Sequence, residues 1–312
     1  MNRKRWLALF LFLLVVALAL VGVGRLTRPQ EGEAVWRETL VYGQGERVLL
    51  LELSGSIPTG KALEDLLSQI RQAQKDPGIK AAVLHVESPG GGVTETEALH
   101  RALKALAQAK PLVAAFGSVA ASGGYYVALA AREIVTPPTA LTGSIGVISV
   151  IPEVEGLLEK LGIRVEVLKE GKLKDMASGL KPLTPEERAV LQGYMREAYE
   201  LFLRRVAEGR NLPLEKVRAL ADGRIYSGKQ AVALGLADRE GYLEEAASRA
   251  AELAGLKTFR LVRYRKPKGL LEGLLGDSLP LSLAGGETQA LWGLLERSRF
   301  RLEYRYPGGG LW

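Results

Sequence analysis

The sequence predicts an α/β fold built on a parallel sheet, preceded by one N-terminal transmembrane helix. Short apolar segments of strand type alternate with helical segments of 12 to 17 residues, a pattern typical of βαβ units. Glycine-rich turns follow two of the strand segments, where such units place their loops. The membrane helix is predicted because residues 6–24 contain no charged side chain.

The apolar stretch Trp6–Gly24 is long enough to cross a bilayer. As a helix it would span about 28 Å, close to the thickness of the hydrocarbon core. The basic residues Arg3–Arg5 before it favour a cytoplasmic N-terminus and an extracytoplasmic body. A cleaved signal peptide is the alternative, but the apolar run is long for one and no clear Ala-x-Ala site follows. We therefore expect an anchor at residues 1–28 in the cytoplasmic membrane and a polar linker at 29–45.

The body of the chain, residues 46–256, should contain the α/β domain. The predicted strands are Arg47–Leu53, Ile79–Glu87, Pro111–Phe116 and Glu133–Thr136. The predicted helices are Ala62–Ala73, Val93–Ala109, one beginning near Ser122, one from Thr184 to about Ala207, Leu214–Ala221 and Lys229–Leu234. In the fourth of these, Thr184 is the expected N-cap, with Pro185 at N1 and Glu187 completing a capping box. The C-terminal extension 257–312 is basic and leucine-rich, and is either loosely packed or a contact with membrane or another subunit.

Composition narrows the classes of function. The chain has no cysteine, which excludes disulfides, thiol catalysis and cysteine-ligated metals. Its net charge of +7 is concentrated at the two ends, so the body is slightly acidic and a basic groove for nucleic acid is not indicated. The positive ends are suited to an anionic membrane surface. No cofactor and no metal are expected.

The segment Ser88-Pro-Gly-Gly-Gly92 follows a predicted strand and precedes a predicted helix. Glycines there allow unusual backbone angles and close approach to a ligand, and their N–H groups can point towards a developing anion. A phosphate-binding loop or a plain tight turn is the alternative. A phosphate loop would require Gly-Lys-Ser/Thr, which is absent.

A second segment, Ser118-Val-Ala-Ala-Ser122-Gly-Gly, lies between a predicted strand and the next helix. A serine at such a turn, flanked by small residues, can act as a nucleophile while the next N–H, that of Gly123, joins an oxyanion hole. Ser122 fits better than Ser118 because two glycines follow it. The alternative is an N-capping serine without chemistry.

A nucleophilic serine needs a general base. The two histidines, His85 and His100, lie in a predicted strand and a predicted helix, and we interpret both as structural. A lysine can replace histidine if its surroundings lower its pKa. The stretch after Val165 offers four candidates, between which composition does not choose: Lys169, Lys172, Lys174 and Lys181.

Together these segments resemble the signal peptide peptidase A family, the protease IV type of Ser/Lys peptidase, in its short single-copy form. The resemblance is collinear over about residues 46–256. It rests on SPGGG (Ser88–Gly92), AASGGYY (Ala120–Tyr126), LTGSIGV (Leu141–Val147), GKLKD (Gly171–Asp175) with Ser178, LTPEE (Leu183–Glu187) and GRIYSGKQAVALGLAD (Gly223–Asp238).

The resemblance implies a crotonase-like, Clp-peptidase-like fold and a role for each matching residue. Ser122 corresponds to the nucleophile and Lys174 to the general base, and Ser144 to a serine that orients the lysine amine. Gly91 and Gly123 correspond to the backbone donors of the oxyanion hole. Short members of the family form homo-oligomeric rings, in which nucleophile and base belong to one subunit or to two.

Together with the apolar N-terminal stretch, the resemblance therefore implies a membrane-anchored serine endopeptidase that degrades cleaved signal peptides and other apolar peptides outside the cytoplasmic membrane. Its expected partners are peptide substrates, membrane lipid and further copies of itself. Two alternatives from other classes are an acyl-thioester enzyme of the crotonase type, which also uses paired backbone N–H groups, and a non-catalytic membrane scaffold.

Overall fold

The computed structural model describes residues 36–266 and 302–307. The transmembrane helix expected at residues 6–24 lies outside these residues. Within them, no helix combines the length and the apolar character needed to cross a membrane.

The described residues form a mixed α/β structure with a largely parallel central sheet. The strands are β1 (Arg37–Gly43), β2 (Glu46–Ser54), β3 (Ile79–Ser88), β4 (Gly90–Gly92), β5 (Leu112–Ala121), β6 (Glu133–Thr136), β7 (Leu141–Gly143), β8 (Ile225–Ser227), β9 (Arg239–Glu240), β10 (Phe259–Arg265) and β11 (Glu303–Arg305). The helices are α1 (Gly60–Lys75), α2 (Val93–Ala109), α3 (Gly123–Ala128), α4 (Glu155–Lys160), α5 (Pro185–Arg210), α6 (Leu214–Leu220), α7 (Gly228–Leu234) and α8 (Leu243–Leu253).

The central sheet has the strand order β1-β10-β2-β3-β5-β6-β9. Every neighbouring pair from β10 to β9 in this order is parallel, and the edge strand β1 runs antiparallel to β10. Further along, β5 pairs in parallel with β7, which in turn pairs antiparallel with β8. Strands β4 and β11 form a separate two-stranded ladder.

The central strands β3 and β5 are largely buried on both faces, as expected of a parallel sheet covered by helices. Helix α8 packs against β3 and β5 on one face through its alanines. These small side chains let the helix approach the sheet closely. The alanines belong to a hydrophobic cluster that also contains β-branched and aliphatic residues of five strands. Its strand members are Val48, Leu50, Ala81, Val83, Val113, Ala115, Val135 and Leu261.

The α/β alternation of the body is confirmed. Helix α2 and strand β6 have the predicted bounds, and the capping box at the start of α5 forms as expected. The strand predicted to end at Phe116 continues to Ala121. Its second half pairs with β7 instead of β6, a change of partner that the small residues of this stretch did not signal.

The sheet extends beyond both limits predicted for the domain, 46 and 256. Residues 37–43 fall in the predicted linker but form β1, an edge strand whose exposed side chains give it a polar composition. Residues 259–265 fall in the predicted extension but form β10, between β1 and β2. Its arginines are interspersed with buried residues such as Leu261, Val262 and Tyr264, and the high charge of this stretch masked its strand character in the sequence.

Candidate active site

Ser122 occupies a sharp turn between β5 and α3. Its backbone angles, φ 52° and ψ −116°, are unusual for a residue with a side chain. Such a conformation costs on the order of 1–3 kcal/mol and persists only where the surroundings enforce it. Here Ser122 N donates to Gly143 O at 2.8 Å, and Ser122 O accepts from Tyr126 N at 2.8 Å. The turn is therefore held from both sides.

The hydroxyl of Ser122 is buried and unbonded. The residue is 1% exposed, and its Oγ has no hydrogen-bond partner among the described residues. Ser122 precedes α3 but its side chain does not cap the helix, so the alternative of a capping serine fails. Buried polar groups are nearly always hydrogen-bonded, and an exception of this kind points to a reactive or ligand-binding group.

The glycine-rich strand β4 lies against the start of α3. A Cβ atom added to Gly90 would lie 2.7 Å from Gly123 N, and one added to Gly124 would lie 2.5 Å from Ser88 O. Larger residues would separate the two segments, which explains the glycines of both motifs. The Ser88 hydroxyl accepts from Gly90 N at 3.1 Å and fixes the turn into β4. The structure thus brings the segment of Gly91 next to Gly123 and Ser122.

Ser144 is placed beside Ser122 by strand pairing. Ala121 is paired with Gly143 in the β5–β7 ladder, so the two serines follow directly after paired residues. Ser144 is 7% exposed and has a φ of 49°. Its N–H donates to Arg224 O at 2.8 Å, which ties this turn to the segment before β8. Four of the five predicted site residues therefore share one region at the carboxyl ends of β5 and β7.

Lys174, the fifth, is not joined to them within the chain. It lies in a turn closed by Lys174 N donating to Gly171 O at 3.0 Å, and its side chain is exposed. Because Ser122 Oγ has no partner among the described residues, no hydrogen bond links it to the Lys174 amine. The single chain therefore presents the serine and the lysine separately.

The other three lysines of this stretch are ion-paired. Lys169 Nζ lies 2.6 Å from Asp175 Oδ1, Lys172 pairs with Glu186, and Lys181 Nζ lies 2.5 Å from Glu187 Oε1. The hydrogen bond that Lys181 donates to Glu187 raises the pKa of Lys181 above its usual value. In the part of the chain that the structure describes, Lys174 is the member of the four with no carboxylate partner.

Neither histidine bonds to Ser122. His100 is buried on α2 against the ring of Tyr126, with ring centroids 5.3 Å apart, and burial lowers its pKa to about 4. His85 is half-buried on β3 and lines a cavity of about 420 Å³ together with Glu87 and Ser118. The buried position of His100 agrees with its structural interpretation, whereas that of His85 stays a prediction.

Two features around Ser122 had no clear signal in the sequence. Tyr126 OH donates to Glu97, whose carboxylate is also bonded by Arg205 at 2.7 Å, so α2, α3 and α5 are joined behind the turn. The second feature is β11, a strand from the C-terminal extension that pairs with β4. The repeated tyrosines after Gly124 were visible as a motif, but their partners are distant in sequence.

Comparison with known proteins identifies the family. The profile of peptidase family S49 matches residues 104–257, which include both Ser122 and Lys174. A putative protease of Synechocystis sp. is 40% identical over 240 residues, covering 76% of this chain and 85% of that protein. A putative signal peptide peptidase of Enterococcus faecium is 33% identical over 310 residues, covering 89% and 90%.

A third relative, protease 4 of Salmonella typhi, is 38% identical over 229 residues, which cover 73% of this chain and 37% of that longer protein. The first two alignments cover most of this chain and most of each relative, so the similarity extends over the whole domain and is not confined to one motif. With the segments of Ser122, Ser144 and the glycine strand assembled at one edge of the sheet, the chain belongs to peptidase family S49, the signal peptide peptidase A family.

Proposed function

We propose that this protein is a serine endopeptidase that works through an acyl-enzyme, with Ser122 as nucleophile and Lys174 as general base. The observation that carries the proposal is the Ser122 hydroxyl, which is buried, held on a strained turn and unbonded among the described residues. A hydroxyl kept in this state is available for reaction. Family membership favours peptide hydrolysis over the acyl-thioester chemistry considered as an alternative.

The proposed oxyanion hole consists of the N–H groups of Gly91 and Gly123. These glycines belong to the two segments that meet beside Ser122, and both are buried. Backbone donors fixed in place before the reaction stabilise the charge that develops on the carbonyl oxygen without having to reorganise. Removal of one such donor in a serine peptidase costs about 100- to 1,000-fold in rate.

Lys174 is the best candidate for the base because it alone of the four lysines lacks a carboxylate partner in the described part of the chain. A carboxylate close to an ammonium group favours its charged form, which cannot accept a proton. Transfer of Lys174 from solvent into the buried surroundings of Ser122 would lower its pKa by desolvation. Ser144, beside Ser122, would accept a hydrogen bond from the amine and orient it.

The segment that carries Lys174 supports a dyad formed between subunits. We call residues 154–179 the lysine arm; Val154 N donates to Gly179 O at 2.8 Å and closes its base. The arm exposes several large apolar side chains, and such exposure concentrated on one segment favours a protein interface. These side chains are Leu157, Leu161, Ile163, Val165, Val167 and Leu168, which are 44–88% exposed. A neighbouring copy would cover them and receive Lys174 beside its own Ser122, as in a homo-oligomeric ring.

In the proposed reaction, neutral Lys174 accepts the proton of Ser122 as its oxygen attacks the peptide carbonyl. Lys174 then donates this proton to the leaving amine, which releases the first product and leaves an ester on Ser122. A water molecule hydrolyses the ester with Lys174 again as base, and the serine hydroxyl is restored. No cofactor or metal is needed for these steps.

The proposed substrates are apolar peptides, remnant signal peptides among them, cleaved at the external face of the cytoplasmic membrane. The name of the Enterococcus relative and the apolar stretch at residues 6–24 support this assignment. Membrane lipid would then be a partner of the anchor. A peptide panel in which charged residues at the cleavage site are strongly preferred would contradict it.

Replacement of the nucleophile tests the reaction class. Ser122→Ala should reduce hydrolysis of a fluorogenic apolar peptide by at least about 1,000-fold and abolish labelling by a fluorophosphonate probe. Ser118→Ala is the matched control, because Ser118 is an exposed serine four residues earlier, and it should be labelled normally. Normal activity of Ser122→Ala would show that the nucleophile is elsewhere.

Replacement of lysines tests the base. Lys174→Ala should lose activity to a similar degree, since an unassisted serine hydroxyl is a weak nucleophile. Lys172→Ala removes a lysine two residues away whose side chain is mostly exposed and paired with Glu186, and it should retain activity. Loss of hydrolysis in Lys172→Ala with activity preserved in Lys174→Ala would assign the base to Lys172.

A further inference from the structure

The turn that carries Lys174 is bridged by the side chain of a second lysine. Lys169 Nζ donates to Lys172 O at 3.0 Å and to Asp175 Oδ1 at 2.6 Å. These two acceptors flank Lys174, since one lies two residues before it and the other directly after it. A single ammonium group therefore spans the turn and holds its two sides together.

The carboxylate of Asp175 also links this turn to helix α5. Lys181 Nζ lies 3.6 Å from Asp175 Oδ1 and 2.5 Å from Glu187 Oε1, and Glu187 is buried in the first turn of α5. The Asp175 side chain is only 10% exposed, whereas residues 161–172 of the arm are exposed. The hydrogen bond from Lys169 holds the pKa of Asp175 below its usual value, so this carboxylate is charged at neutral pH.

Packing against the core contributes little to fixing this turn. The lysine arm leaves several of its large apolar side chains in solvent, so charged contacts have to hold the turn in place of burial. A single exposed ion pair contributes little, but here two pairs share one carboxylate and the network ends on a buried glutamate. Precision matters at this point, because displacement of a catalytic group by about 1 Å can lower a rate about 100-fold.

We propose that Lys169 and Asp175 are positioning residues, whose bridge holds the turn so that the Lys174 amine is presented in one orientation. This rests on the proposed function, since it takes Lys174 as the general base. The bridge also engages the carboxylate next to Lys174 in sequence, and Lys174 has no carboxylate partner in the described part of the chain. Lys169, one of the four candidate bases, then acts through Lys174 and not on the serine itself.

Kinetics of the full chain test the bridge. Lys169→Gln should lower kcat for a fluorogenic apolar peptide by about 10- to 100-fold and change KM by less than about twofold, because the base is held less precisely. Asp175→Asn should act in the same direction. Lys169→Arg should recover most of the activity, because an arginine can donate to both acceptors and remains charged. The matched control is Lys172→Gln, which removes a side chain of the same turn that pairs with Glu186 outside the bridge, and it should keep a normal kcat.

Hydrogen exchange reports on the turn without any catalysis. The N–H groups of residues 174, 176 and 178 each donate to a carbonyl three residues earlier, at 3.0–3.1 Å. Exchange is measured by mass spectrometry on the inactive full chain, Ser122→Ala. Adding Lys169→Gln to it should make exchange across residues 171–178 several-fold faster, because the turn opens more often. Adding Lys172→Gln should leave exchange there unchanged.

Three outcomes separate this proposal from the proposed function. A normal kcat or unchanged exchange in Lys169→Gln overturns the positioning role, whichever residue is the base. A loss in Lys169→Arg as complete as in Lys174→Ala overturns it too, because arginine cannot accept a proton and Lys169 would then itself be the base. Faster exchange in Lys169→Gln together with a fully active Lys174→Ala refutes the proposed function alone, since the bridge would still hold the turn.

Discussion

At the scale of single residues, the burial of His100 makes the stability of the folded protein depend on pH. Its side chain is 5% exposed and its Nδ1 has no hydrogen-bond partner among the described residues. Desolvation is the largest effect on it and lowers its pKa from 6.5 to about 4; Glu97 and Glu208 oppose the shift, whereas Arg205 and Lys104 add to it. His100 is therefore neutral in the folded protein near pH 5 but protonated in the unfolded chain.

This difference predicts a loss of stability in weak acid. Because the folded pKa is depressed, the stabilisation is fully present above pH 6.5 and is lost as the pH falls towards 4. The expected loss between pH 7 and pH 5 is about 2 kcal/mol in the free energy of unfolding. Urea unfolding at the two pH values measures it.

The matched variant is His100→Gln, which keeps a polar side chain but does not titrate. Its free energy of unfolding should change with pH by about 2 kcal/mol less than that of the unaltered protein. Equal pH dependence in the two proteins would mean that His100 is not buried in its neutral form. The lowered pKa of carboxylates such as Glu97 also favours stability at neutral pH, but these groups are present in both proteins.

Single residues also differ in how far their place in the candidate site could be predicted from the sequence. Ser122 was recognisable because a serine followed by two glycines after a strand is a local pattern, and the structure places it on a strained turn. The choice of Lys174 came from resemblance alone and stays a prediction; the structure shows that Lys169, Lys172 and Lys181 are ion-paired. The stacking of Tyr304 on Tyr126 and its hydrogen bond to Ala198 O were not predictable, since they join residues more than 100 positions apart.

At the scale of elements, prediction succeeded where the signal is local. The α5 N-terminus is an example: Thr184 Oγ1 accepts from Glu187 N at 3.2 Å, and Glu187 accepts from Thr184 N at 2.9 Å. Each residue of this capping box is specified within four positions, so the sequence alone was enough. The same holds for α2, whose apolar spacing continues over its entire length.

The sequence did not predict the short strands whose formation depends on pairing with segments distant in the chain. Strands β7 and β8 have three residues each and exist because they pair with β5 and with each other. Strand β4 consists of three glycines, which have low strand propensity, and it is extended because β11 lies beside it. These short strands surround Ser122, so the site is built from the parts of the fold that local patterns describe least well.

At the scale of the whole molecule, the separation of Ser122 from Lys174 is the main feature to explain. The serine is buried at the carboxyl end of the central strand β5, whereas the lysine lies on an arm with exposed apolar side chains. Exposure of these side chains in a lone chain is unfavourable, and an interface with a second copy would remove them from water. Assembly would then complete the active site and prevent single chains from acting.

Complementation between inactive variants tests this arrangement. Ser122→Ala and Lys174→Ala are each expected to be inactive, but a mixed oligomer can place the intact Ser122 of one copy beside the intact Lys174 of its neighbour. Equal random mixing in a ring of head-to-tail contacts would restore roughly one site in four. Co-expression of the two variants with different tags, followed by tandem purification, should therefore recover about a quarter of normal peptidase activity.

The control is co-expression of Lys174→Ala with the double variant Ser122→Ala/Lys174→Ala. This mixture contains intact serines but no lysine at position 174, so it should remain inactive although it assembles in the same way. If the first mixture is purified as a mixed oligomer and is also inactive, the dyad belongs to one chain. The lysine arm would then have to fold back onto its own Ser122, and Leu157 to Leu168 would need another reason to be exposed.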